Sequence, residues 1–61
     1  MNKVMQIAGM LYVIKQNNPE LRLCQILSIA AKEAGWKDND LFYLEDKQLI
    51  EGLKIMSMNN S

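Results

Sequence analysis

Apolar residues recur at steps of three and four in three separate stretches, which together take up nearly the whole chain. Val4, Ile7, Leu11 and Ile14 make the first set. Leu23, Ile26/Leu27, Ala30 and Ala34 make the second, and Leu49/Ile50, Leu53 and Met56 the third. That spacing puts each set on one side of a helix. The pattern predicts an all-α fold of three short helices, at about residues 2–16, 19–34 and 46–57, packed as a small bundle. Residues 1–57 then form a single domain and residues 58–61 a frayed tail.

Local signals set the helix ends. Asn2 is a good N-cap for the first helix. Asn18 can cap the second, with Pro19 in its first turn and Glu20 near the positive end of the dipole. Gly35 stops that helix at the left-handed C′ position, and Trp36 packs back on the Ala30/Ala31 turn. Lys37–Asp40 reads as a polar loop, and Leu41-Phe42-Tyr43-Leu44 as an extended apolar connector that tucks alternate side chains under the helices. Helix three begins at Glu45 or Asp46, and Lys54 in its last turns also suits the dipole.

Size turns this fold into a functional argument. A 61-residue chain buries only about 60% of the surface it exposes when unfolded. A core of that size supplies roughly 3–5 kcal/mol, so chains of this length usually carry a staple. One cysteine makes no internal disulfide, and with no histidine there is no zinc constellation. The remaining route is association. Helix one is the candidate surface, because apolar residues cover most of its circumference and only Gln6, Gly9, Gln16 and the two lysines are clearly polar or bare. Met5, Met10 and Val13 are the candidate self-association residues. Gly9 either permits close approach of another backbone or is a tolerated helix glycine.

Few residues are left for chemistry. Asp38-x-Asp40 begins like a calcium loop, but Phe42 stands where the third ligand belongs and the turn glycine is missing. Cys24 has no histidine to act as its base and reads as a small buried hydrophobe. No catalytic residue, metal or cofactor is therefore expected. Seven Lys/Arg balance seven Asp/Glu, with the basic residues spread singly, which argues against a nucleic-acid module. Val4–Ile14 after Lys3 faintly echoes a signal peptide, yet it contains Gln6 and lacks a small-residue cleavage site. The expected location is cytoplasmic, with Cys24 reduced and no membrane span.

Candidate partner contacts are Arg22, Ile29, Tyr43 and Ile55. Ile29 falls among Arg22, Gln25, Lys32 and Glu33 on the polar side of helix two, and Ile55 breaks the pattern of helix three in the same way. Arg22, the single arginine, either locks helix two to Glu45 or Asp46 or binds a partner. Trp36 and one of Phe42/Tyr43 suit the core, leaving the other as an exposed anchor.

From Asn18 onward two blocks carry a resemblance. Asn18-Pro19-Glu20-Leu21-Arg22-Leu23-Cys24-Gln25-Ile26-Leu27 is one; Phe42-Tyr43-Leu44-Glu45-Asp46 with Leu49-Ile50-Glu51 and Leu53 is the other. Together they resemble a family of very small uncharacterised proteins of bacteria, prophages and phages. Cys24 stands where that family usually has glycine, and Lys47-Gln48 where it has a more acidic pair. The resemblance implies no activity, cofactor or catalytic residue. The sequence thus predicts a non-enzymatic protein–protein interaction module, a homo-oligomer that binds another protein such as a host enzyme or defence component. The alternative is a helix-turn-helix-like nucleic-acid binder built from helices two and three.

Overall fold

Three helices form where the apolar spacing places them, in a computed structural model that describes residues 2–38 and 40–59. Helix α1 spans Lys3–Asn17, α2 spans Leu23–Glu33 and α3 spans Asp46–Asn59. Asn2 caps α1, its Oδ1 accepting the Met5 N–H at 2.8 Å. At the end of α2, Gly35 has φ 91°. The Trp36 N–H donates to the Ala31 carbonyl at 2.9 Å and the Gly35 N–H to that of Lys32 at 3.0 Å. These are the two bonds of a Schellman motif.

The start of α2 differs from the sequence expectation by a full turn. Asn18 caps the helix before it, donating its Nδ2 to the Ile14 carbonyl at 3.0 Å. Lys15 supplies the reason. Its ammonium, at the edge of the fold, donates to the carbonyls of Pro19 (2.9 Å) and Leu21. Tied to α1 by these bonds, residues 19–21 stay in the turn closed by the Leu21 N–H on the Asn18 carbonyl at 3.0 Å. The helix begins once the Arg22 N–H finds Gln25 Oε1 at 2.8 Å, half of a capping box.

The connector differs as well. Leu41–Leu44 closes a turn, with the Leu44 N–H on the Leu41 carbonyl at 3.0 Å, rather than running extended. Leu41 and Leu44 point inward and are half-buried, while Phe42 and Tyr43 at the tip are both exposed, so neither joins the core. α3 continues to Asn59, which takes Met58 and Asn59 out of the expected tail and leaves Lys54 before the last turn. Asn60 and Ser61, the rest of that tail, lie outside the described residues.

α3 is the central element. It packs against both α1 and α2, which touch each other much less. The buried apolar core consists of Ile14, Ile26, Ala30, Ala31, Ile50, Leu53 and Met56. The tightest point is Gly52, where α3 crosses Ala30. A Cβ on Gly52 would overlap the Ala30 carbonyl oxygen and lie 2.5 Å from its carbon. Gly9 has nothing within 4 Å of the same position, so within the chain the close approach belongs to Gly52.

Burial along α1 deepens from start to end. Val4 is exposed, Ile7 and Leu11 are half-buried, and Ile14 is fully enclosed. An 11-residue α2 is only about 16 Å long and cannot cover the whole first helix. Leu23 and Cys24, expected on or beside the buried face of α2, are likewise exposed at the free end of that helix. Among the described residues no helix is long and apolar enough to cross a membrane.

Candidate functional site

Open grooves mark the surface of the described residues, and apolar hollows lie beside α1 and α2. The first apolar one, of about 360 Å³, is lined by Met5, Gly9, Met10 and Val13 of α1 with Ser57 of α3. It unites the three candidate self-association residues. Met5 and Val13 are 60% and 48% exposed, whereas Met10 is half-buried and also packs against the core. On the other side of α1, Leu11 and Tyr12 form a second hollow with Leu23 of α2. α1 therefore carries uncovered apolar surface on two flanks. Its bare part is wider than the sequence wheel suggests, since Val4 and Ala8 are exposed too.

The candidate partner contacts do not gather into one surface. Ile29 lines a shallow depression with Leu21, Cys24 and Ser28. Ile55 belongs to a different groove, and there it is half-buried rather than fully turned to solvent. Tyr43 stands at the tip of the 41–44 turn. Arg22 is exposed at the start of α2, and among the described residues no ion pair joins it to Glu45 or Asp46. Its structural contribution is through the backbone N–H that engages Gln25.

The acidic segment between α2 and α3 uses its carboxylates to shape backbone. Asp38 Oδ1 accepts the Asp40 N–H at 3.1 Å, and Asp40 Oδ1 accepts the Phe42 N–H at 2.9 Å. The indole of Trp36 donates to the Asp40 carbonyl at 3.0 Å. Such Asx turns explain Asp38-x-Asp40 without a metal. Among the described residues no three His, Cys, Asp or Glu side chains come together as metal ligands. The result is a tied loop that presents Phe42 and Tyr43 outward as an edge-to-face pair, ring centres 5.0 Å apart.

A further groove, of about 500 Å³, lies between α3 and the start of α1 and is absent from the sequence expectations. Ile50, Ile55 and Met58 line it, with Lys3, Lys47 and Lys54 around them and Glu51 as the one acidic residue among the described residues that line it. Part of this was legible. Lys47 and Lys54 are seven residues apart, two turns of one helix and hence one face. Lys3 arrives from another helix, and only the tertiary packing brings it there.

The comparisons with known proteins add no identification: no family model, curated protein or solved structure matches this chain.

Proposed function

We propose that the protein is a small, non-enzymatic interaction module that works as a homo-oligomer and binds another protein. One observation carries the reading. On α1, Val4, Met5, Tyr12 and Val13 are all between 48% and 70% exposed, and only Ile14 of that helix is buried. A helix with so much bare apolar surface gains roughly 25 cal/mol for each Å² it removes from water. A second copy of the Met5–Met10–Val13 face is the simplest cover, with Gly9 at its middle letting two helices approach. The resemblance of residues 18–27 and 42–53 to small proteins of bacteria, prophages and phages supports a role as a modulator or inhibitor of a host or defence protein.

A nucleic-acid role has less support. Residues 34–45 separate α2 from α3, far more than the roughly 3–4-residue turn of a helix-turn-helix. Val13→Lys and Met5→Lys test the favoured reading by sedimentation. Both positions are exposed, so the fold is retained while the oligomer dissociates. Unchanged sedimentation of both variants would refute an α1 interface.

A further inference from the structure

Two features of opposite charge are built into a chain whose formal net charge is zero. One is the turn at 41–44. Its tip carries Phe42 and Tyr43, 81% and 72% exposed, although the loop around them is tied by the Asx, indole and turn hydrogen bonds. Asp40, Glu45 and Asp46 flank the two rings. The other is the lysine groove, where Ile50, Ile55 and Met58 lie with Gln6, Lys3, Lys47 and Lys54, and Glu51 is the one acidic residue among the described residues that line it. Its volume of about 500 Å³ falls within the roughly 300–1,000 Å³ of ligand-holding clefts.

We propose that the lysine groove receives the Phe42–Tyr43 turn of a second copy of this chain. The two rings cover Ile50 and Ile55, and Asp40, Glu45 and Asp46 face Lys3, Lys47 and Lys54. Charge complementarity selects this occupant. The turn joins exposed aromatics to the acidic residues beside them, and the groove joins apolar side chains to three lysines. Aromatic anchors held by a tied loop bring a large contact area at little conformational cost. The charges steer the encounter and fix the register, and salt screens them. The inference rests on the self-association reading, but it uses a surface distinct from the Met5–Met10–Val13 face.

The test uses the full chain labelled at its exposed, single cysteine, Cys24, with donor and acceptor dyes, and reads energy transfer between copies. The groove variant is Lys47→Glu/Lys54→Glu and the turn variant is Phe42→Ser/Tyr43→Ser, all at exposed positions. Circular dichroism checks that each keeps its helices. Each variant alone is expected to associate at least about tenfold more weakly than wild type, a loss of about 1.4 kcal/mol. Mixing the two restores transfer, because the intact turn of one meets the intact groove of the other. Raising the salt concentration weakens the wild-type contact. Association of both variants within about twofold of wild type, or a mixture no better than its components, would overturn the proposal. Val13→Lys separates the two readings. If it alone dissolves the oligomer, the α1 interface stands and the turn-in-groove contact falls; if only the groove and turn variants do, the reverse holds.

Discussion

At the residue scale, Gly9 and Gly52 show how the same amino acid acquires opposite meanings. Gly52 is the point where α3 meets the backbone of Ala30, so a methyl group there forces the two helices apart. Overpacking typically costs about 1–3 kcal/mol, and more against rigid backbone. In a domain holding roughly 3–5 kcal/mol, Gly52→Ala is expected to abolish cooperative thermal melting. Gly9→Ala meets open space within its own chain and gains helix propensity, about 1 kcal/mol. It is expected to raise the urea midpoint of the dilute protein while weakening self-association, because the added methyl enters the Met5–Val13 groove. A variant that leaves association unchanged would place the interface elsewhere. In the sequence Gly9 stands out because it sits in an apolar helix, whereas Gly52 does not. The signal was present, since Gly52 falls between Leu49 and Met56 on the buried face of α3. What the sequence does not contain is the crossing point, which depends on where Ala30 of another helix arrives.

At the element scale, helix ends governed by their own residues were legible, and those governed by a distant side chain were not. Asn2 and Gly35 act within one turn of themselves, and both ends stand as expected. The start of α2 depends on Lys15, which belongs to α1 and holds the Pro19 and Leu21 carbonyls. Lys15→Met keeps the apolar stem and removes those bonds. Each hydrogen bond from a charged donor contributes about 1.5–3 kcal/mol at best, less at a partly exposed site, so a loss of about 1–2 kcal/mol is expected in urea denaturation. A stability equal to wild type would show that the 18–21 turn holds itself. The 41–44 run illustrates the same limit. Four apolar residues read as a segment seeking cover, yet Asp38 and Asp40 set a turn that turns Phe42 and Tyr43 outward. The expected alternation of burial is lost, since the half-buried residues are Leu41 and Leu44, three apart at the two ends of the turn.

At the scale of the whole molecule, the helical spacing was sufficient to give the fold class because three amphipathic segments of this length have few ways to bury their apolar faces. The charge distribution was legible only in part, because Lys47 and Lys54 share a helix face but Lys3 joins them only after packing. The extents of 27 × 27 × 17 Å leave room for about two helix layers across the short axis, given interaxial distances of roughly 8–10 Å. Each helix therefore keeps an outer flank. On α1 that flank is apolar, and the proposed self-association covers it with another molecule, first of all a second copy. Anything that binds the folded state alone makes the melting temperature depend on concentration. The most direct measurement is thermal melting of the wild-type chain over a roughly hundredfold range of protein concentration, with sedimentation at each end. A midpoint that climbs with concentration, alongside a mass above 7.0 kDa, is the predicted result. A constant midpoint and a mass of 7.0 kDa throughout would contradict it.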